Sequence, residues 1–382
     1  MTTPNDLVVL SHLRWTFVWQ RPQHLISRLA ADRRVWFVEE PLANGTSRPR
    51  LRYEQHGPVT RVWLEVPGPE RHVSFDDDLV DVYRRDLPAL LGDGTPCDAW
   101  LYTPLALGVA RSLGPSVLVY DVMDDLASFK GAARSLQLRH AQALKAADVV
   151  FTGGRSLYRS VLQHRPEGTH LFPSGVEPEH YAVAVGRRRR RQRPVAGYVG
   201  VVDERIDLRL LGDLAAALPD WDVQVVGPVA KIDPATLPQA PNLCYLGSRP
   251  YAVLPDVMAG FDVALMPFAL NEATRSISPT KTLEYLAAGL PVVSTRVPDV
   301  VADHGSVVDF QDDGAGFADA CRRVLRHDGA RRAEIAQPLL HWQHWDTIAS
   351  RMDAILADAR TGRTVTGSPR AEVAGSGAME SA

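Results

Sequence analysis

Short apolar runs of a strand's length recur along this chain, and most are separated by stretches with apolar residues at helical spacing. That alternation is the pattern of βαβ units, because parallel strands are joined by crossovers long enough to hold a helix. In the first half, strands are expected at residues 7–11, 35–38, 99–102, 117–120 and 149–151. Residues 50–66 read as a less regular β excursion, and 76–91 as a helix. After Tyr181 the periodicity stops, and a basic, proline-ended run, RRRRRQRP at 187–194, separates the two patterned halves. The second half restarts with PVAGYVGVVDERIDLRLLGDLAAALPDWDVQVVGP, a strand, a glycine turn, a helix and a strand. Further strands are expected at 243–246, 263–266 and 291–294, and helices at 256–260 and 314–325. HWQHWDTIASRMDAILADA reads as one helix near the end.

A chain of 382 residues exceeds the usual range of one core, so two domains are expected. Lysine and arginine number 42 against 45 acids, a net charge of −3, which gives no global argument for nucleic acid. The basic run could touch anionic lipid or RNA, but a solvated linker is the simpler reading. Cys97, Cys244 and Cys321 are widely separated and lack the spacing of a disulfide framework or a zinc site, as in a reducing cytoplasm. The start of the chain has no basic leader, and no apolar stretch approaches the roughly 20 residues that span a bilayer. The expected location is therefore cytoplasmic, with peripheral contact at the inner face of a membrane left open. Neither half carries a G-x-G-x-x-G after its first strand or a Walker A sequence, which removes support from dinucleotide oxidoreductases and P-loop kinases.

Residues 271–294, NEATRSISPTKTLEYLAAGLPVVS, carry the most chemistry. Ser278 reads as an N-cap with Pro279 at the first helical position. A capping box would place Glu or Gln where Lys281 stands, so no side-chain anion competes for the first amides. The amides of Thr280 and Lys281, the hydroxyls of Ser278 and Thr280, and the Lys281 ammonium together suit a phosphate. Glu284, about one turn farther on, reaches toward hydroxyls such as those of a ribose. An ordinary capped helix with solvated Lys281 and Glu284 is the alternative.

The pattern P-x-K-x-x-E-Y-x-A-x-G-x-P-V-V resembles the donor-site segment of GT-B glycosyltransferases of the family-4 type. With SHLRW, FVWQRPQHL, YDVMDDL, FTGGRSLY, LFPSGVE and GYVGVVDER, the resemblance spans almost the whole chain. It is similar to a bacterial subgroup associated with cell-surface polysaccharide or teichuronic-acid-type assembly. The resemblance implies an α/β GT-B fold, two Rossmann-like domains facing a central cleft. Its expected parts are an acceptor domain at 1–184, a linker at 185–194 and a donor domain at 195–338. A helix at 339–360 would cross back onto the first domain through Trp342 and Trp345, followed by a disordered tail at 361–382.

In that resemblance Glu284 contacts the donor ribose, while the first glutamate of the family's E-x7-E pair is replaced by Ser276. Glu272 is the candidate substitute against the donor sugar. Arg205, beside Gly200, would face the donor diphosphate with Lys281 on its other side, although pairing with Asp203, Glu204 or Asp207 is the alternative. Val201 stands where the family has a second basic residue. Gly247, Ser248 and Arg249 are nucleobase candidates.

On the acceptor side, Arg14, Trp15, Trp19 and Arg21 are expected to stack on a sugar and bind an anionic group. Asp121, Asp124 and Asp125 are expected at the same edge, with Asp121 near the reacting centre and His12 a second candidate there. A D-x-x-D-D cluster can hold Mg²⁺, but Arg205 and Lys281 make a metal unnecessary, and none is expected. The expected catalytic set is Asp121, Arg205, Lys281 and Glu272.

The expected reaction is retaining transfer from a nucleotide diphosphate sugar, a UDP-sugar by default, to a carbohydrate, lipid-linked or small-molecule hydroxyl, without a cofactor. The alternatives are a nucleotide-sugar epimerase or hydrolase on the same fold, and a non-catalytic nucleotide-sugar-binding subunit.

Overall fold

The computed structural model describes residues 4–71, 73–75, 81–92, 94–125, 134–188, 191–326 and 329–362. Within these, β1 (Asp6–Ser11), β2 (Val35–Glu39), β3 (Leu42–Ala43), β4 (Arg50–His56) and β5 (Val59–Val66) begin a first sheet. It continues through β6 (Cys97–Leu101), β7 (Leu118–Val122), β8 (Val149–Thr152) and β9 (Thr169–Leu171). Its order is β3-β5-β2-β1-β6-β7-β8-β9, with β4 paired antiparallel to β5.

The second sheet comprises β10 (Val195–Val199), β11 (Asp222–Val226), β12 (Leu243–Tyr245), β13 (Val263–Met266), β14 (Val292–Ser294) and β15 (Val308–Phe310). All its pairings are parallel, in the order β12-β11-β10-β13-β14-β15.

Strand β1 shows why the apolar runs are continuous rather than alternating. Val8 and Leu10 enter the core on one face of the sheet, and Leu7 and Val9 enter the core on the other. Successive side chains of a strand point to opposite faces, so a sheet covered on both faces needs apolar residues throughout. One covering layer comes from the far end of the chain: Trp345, Ile348, Ala349, Met352 and Leu356 of the helix Trp345–Arg360 join the Leu7 and Val9 core. Arg360 of that helix reaches the buried Asp98, with Nε 2.7 Å from the carboxylate.

Several expectations change. Residues 50–66 form a regular hairpin in register from Arg50↔Glu65 to His56↔Val59, turned at Gly57, where φ is 58°. The short strands β3, β9 and β15 lacked a readable pattern. The final helical stretch is broken: Gly329–Trp342 ends, and Trp345–Arg360 begins after His344. Across the break, Val176 donates to the Gln343 carbonyl at 2.9 Å and Trp345 donates to that of Val176 at 3.1 Å. Trp345 is fully buried whereas Trp342 is 67% exposed, so only Trp345 makes the expected packing contact.

The helix Pro178–Arg187 continues past Tyr181. Within the basic run, Arg187 pairs with Asp256, Arg188 donates to the Ala288 carbonyl and Arg193 pairs with Asp222. These three side chains are held by the second domain rather than offered to a polyanion. Residues 76–80, Arg189, Arg190 and the expected tail from 363 onward lie outside the described residues. No helix among the described residues is long and apolar enough to cross a membrane.

Candidate active site

Loops following β1, β10, β11 and β12 border a cavity of about 640 Å³ between the two sheets. They leave the C-terminal ends of parallel strands, the edge at which open α/β sheets bind ligands. Residues 15–20 and His56 form the first domain's wall. Gly200, Val201, Arg205, Gly227, Ser248, Arg249, Tyr251, Thr280, Lys281 and Glu284 lie on the opposite wall. A smaller space of about 110 Å³ adjoins it, lined by Arg21, Asp124, Tyr198, Arg205, Ser278 and Lys281 among others.

Two glycines make this wall thin. Gly200 has φ of 151° and Gly227 φ of 150°, backbone that side chains disfavour. A Cβ on Gly200 would meet Lys281 Cε at 2.1 Å, and one on Gly227 would meet the Gly200 carbonyl oxygen at 1.9 Å. The turn is fastened from the neighbouring motif. The Tyr285 hydroxyl accepts from Val199 N at 2.8 Å, while the Tyr198 hydroxyl donates to the Val201 carbonyl at 2.9 Å.

Lys281 extends across this glycine turn, its ammonium 5.8 Å from the centre of the Tyr198 ring. No carboxylate lies within 4 Å of it among the described residues. Burial lowers the Lys281 pKa, and Glu284 pulls it back up. Burial likewise raises the Glu284 carboxyl, with Lys281, Thr280 and Tyr181 opposing the shift. Both groups are therefore pushed toward their neutral forms, and an anion beside Lys281 would favour its charge. Arg205 lines both spaces but is gripped by Asp203, with Nε–Oδ1 2.9 Å and Nη2–Oδ2 2.7 Å. The pairing alternative read from the sequence and the cavity position hold together: Asp203 orients Arg205 at the wall.

Other expected residues fall elsewhere. The helix begins at Lys281, not Pro279, and Ser278 does not cap it; residue 280 precedes it without a side-chain cap bond. Glu272 is 69% exposed, pairs with Arg275 at 3.1 Å and lines neither space, so it does not face the cavity as expected. Its segment is a short turn in which the Asn271 side chain accepts from Thr274 N, which points the carboxylate out.

On the acceptor side, Asp121 is fully buried and bidentate to Arg21, both distances 3.0 Å, while Arg21 Nη1 donates to the Phe172 carbonyl at 2.8 Å. Neither offers a free charge to a substrate. Arg14 bonds Glu39 at 3.2 Å and the carbonyls of Glu40 and Pro41. Buried Glu39 also receives Arg61 and the amide of Trp15, so Arg14 belongs to the anchor of the β1 loop. His12 is half-buried and lines neither space. Asp124 does line the smaller space, and burial raises its carboxyl against the pull of Arg205, Lys231 and Arg21. Gly247 accepts at its carbonyl from Gly227 N at 2.9 Å and so braces the turn, while Ser248 and Arg249 line the cavity. Among the described residues, no group of three or more His, Cys, Asp or Glu is arranged to hold a metal.

The sequence reading missed Phe17, Gln20, Gly227 and Tyr251. Gly227 was the most recoverable, because GP after β11 repeats the strand-then-glycine pattern of GV after β10. Tyr251 stands two residues beyond Arg249. It stacks on Trp19 across the cleft at 5.8 Å and on His180 at 4.2 Å, contacts that only the tertiary structure brings together.

Two parallel-sheet α/β domains, a cleft between their strand ends and a cationic wall on the second domain define a GT-B glycosyltransferase. The match to the family model, "Glycosyl transferases group 1", covers residues 193–327, the domain that carries Gly200, Arg205, Lys281 and Glu284. Over 345 residues the chain is 25% identical to TuaH of Bacillus subtilis (strain 168), a glycosyltransferase provisionally assigned to teichuronic acid biosynthesis; this covers 82% of the chain and 86% of TuaH.

Two solved structures share the fold. An E. coli trehalose-6-phosphate protein bound with UDP-2-fluoro glucose has a TM-score of 0.66 at 13% identity, covering 93% of this chain and 99% of that one. Anabaena Alr3699/HepE in complex with UDP and glucose has a TM-score of 0.65 at 15% identity, covering 93% and 100%.

Proposed function

We propose that the enzyme moves a sugar from a UDP-sugar to a hydroxyl acceptor with retention of anomeric configuration, in the assembly of a cell-surface polysaccharide. The observation that carries this reading is Lys281, an ammonium with no carboxylate within 4 Å among the described residues, held over a glycine turn beside Arg205 and Glu284 in one cavity. A diphosphate supplies the missing anion, a ribose supplies hydroxyls for Glu284, and the thin turn admits the phosphates close to the backbone. The UDP complexes of the two fold relatives support the choice of nucleotide. The resemblance to TuaH supports the polysaccharide role.

In the reaction, the bond from the anomeric carbon to the phosphate oxygen breaks and the bond to the acceptor oxygen forms on the same face. The acceptor proton passes to the departing phosphate oxygen. Lys281 and Arg205 stabilise charge as it develops on that phosphate, the kind of preorganised electrostatic effect that accounts for much of enzymatic catalysis. This reading needs no metal. Asp121, neutralised by Arg21, serves as a buried strut rather than a reacting group.

The test is turnover followed by NMR of the product's anomeric proton, with UDP-sugars supplied alone and with sugar acceptors, in the presence of EDTA. Acceptor-dependent release of UDP with the donor's anomeric configuration kept in the product is expected. Inverted product would overturn retention, and donor change without acceptor would favour an epimerase or hydrolase.

A further inference from the structure

The first domain's wall of the cleft is aromatic and, among the described residues, offers no free cation. Its arginines are spent inside the domain, Arg14 on Glu39 and two carbonyls, and Arg21 on Asp121 and the Phe172 carbonyl. The cations that line the large cavity, Arg205, Arg249 and Lys281, all lie on the opposite wall, where the donor diphosphate requires them. Among the described residues, the remaining ionisable groups on the acceptor side are Asp124, an acid that supplies no cation, and His56, which pairs with Glu54 at 3.3 Å.

The first domain's wall is made by Trp15, Phe17, Val18 and Trp19, four apolar side chains from five consecutive residues lining one cavity. Single exposed apolar residues are ordinary on protein surfaces, but their convergence on a cavity marks a binding face. Phe17 is 59% exposed there. Its loop is fixed at both ends: the Gln23 side chain donates to the carbonyls of Arg14 and Trp15 at 3.3 and 3.1 Å, and Trp19 Nε1 donates to His24 Nδ1 at 3.2 Å. A ring presented this way loses little conformational freedom when a ligand stacks on it.

We propose that the acceptor group entering the cleft is an uncharged, hydroxylated sugar ring stacked on Phe17, and not a sugar phosphate. This rests on the transferase reading above and specifies the acceptor of that same site. Thr16, Gln20 and Asp124 supply hydrogen-bonding groups for hydroxyls. A phosphate on the same ring would lose water without gaining a cation from this wall, which burial of a charge makes costly.

The test uses the full chain loaded with UDP and follows intrinsic tryptophan fluorescence during titration. The probes are the methyl glycosides of glucose, galactose, mannose and N-acetylglucosamine, each compared with its own 6-phosphate. At least one neutral glycoside should bind about tenfold more tightly than its 6-phosphate. Its affinity should fall about fivefold or more in Phe17→Ala and return in Phe17→Tyr, with UDP affinity unchanged in both. Equal or tighter binding of the phosphates, neutral binding indifferent to Phe17→Ala, or no glycoside binding by protein that binds UDP would each overturn the proposal. Failure of the wild type to bind UDP would count instead against the donor reading.

Discussion

At position 200 the backbone, the lysine across from it and the ligand space compete for the same few ångströms. A Cβ there would lie 2.8 Å from the Tyr198 hydroxyl as well as against Lys281, in backbone that disfavours any side chain. Gly200→Ala is therefore expected to destabilise the fold by about 1–3 kcal/mol. It should also weaken UDP binding by about tenfold or more, because the lysine must move from its perch. Denaturant unfolding and calorimetry check the two parts, and unchanged affinity would mean that the turn is not part of the site. That Lys281 and Glu284 share one wall was legible in the sequence because a local rule, a spacing of three residues on one helix, brings them together. Arg21 and Asp121 were legible as polar residues at a strand edge but not as a pair, since they are 100 residues apart and only the fold joins them. Glu272 failed for the converse reason: a local turn, stabilised by Asn271 and Thr274, directs its side chain outward.

At the scale of elements, the helix Trp345–Arg360 is the piece whose position is least implied by its place in the chain. It follows the second domain and completes the core of the first. Met352 is fully buried in that core, so Met352→Ala should cost about 2–5 kcal/mol by denaturant unfolding. A loss below about 1 kcal/mol would contradict the packing described. The strands of both sheets were largely readable because parallel strands buried on two faces leave continuous apolar runs. The hairpin Arg50–His56 and Val59–Val66 was harder, because β4 is mostly exposed and carries little apolar signal. The break at Gln343–His344 was not readable, since the backbone partner that interrupts the helix, Val176, belongs to a distant segment.

Across the whole molecule, the two domains meet in a cluster around His24 and Tyr251. His24 stacks on Trp345 at 5.1 Å and packs edge-on to Tyr251, while the Tyr251 hydroxyl donates to Glu177, which also holds Arg28. Burial lowers the His24 pKa from 6.5 to about 3, with Glu177 opposing and Arg28 and His180 adding to the shift. Because the folded-state pKa is depressed, its contribution to stability is present above about pH 6.5 and is lost as pH falls from there toward 3. Between pH 7 and pH 5 the wild type should lose about 1–2 kcal/mol more stability than His24→Gln, measured by denaturant unfolding at each pH. Equal losses would show that the histidine does not titrate against the fold. The return of Trp345 to the first domain was expected from the resemblance, but the meeting of Tyr251 with His24 and Glu177 was not readable from either half, because it depends on how the sheets are placed across the cleft.

If the wall formed by Gly200, Arg205, Lys281 and Glu284 holds a nucleoside diphosphate, calorimetric titration of UDP, UMP and uridine will show it. UDP is expected to bind most tightly and uridine most weakly, and Lys281→Ala to weaken UDP by about 10- to 100-fold, as loss of a charged hydrogen bond implies, while barely changing uridine. Equal affinity for UDP and uridine, or UDP binding indifferent to Lys281→Ala, would contradict it.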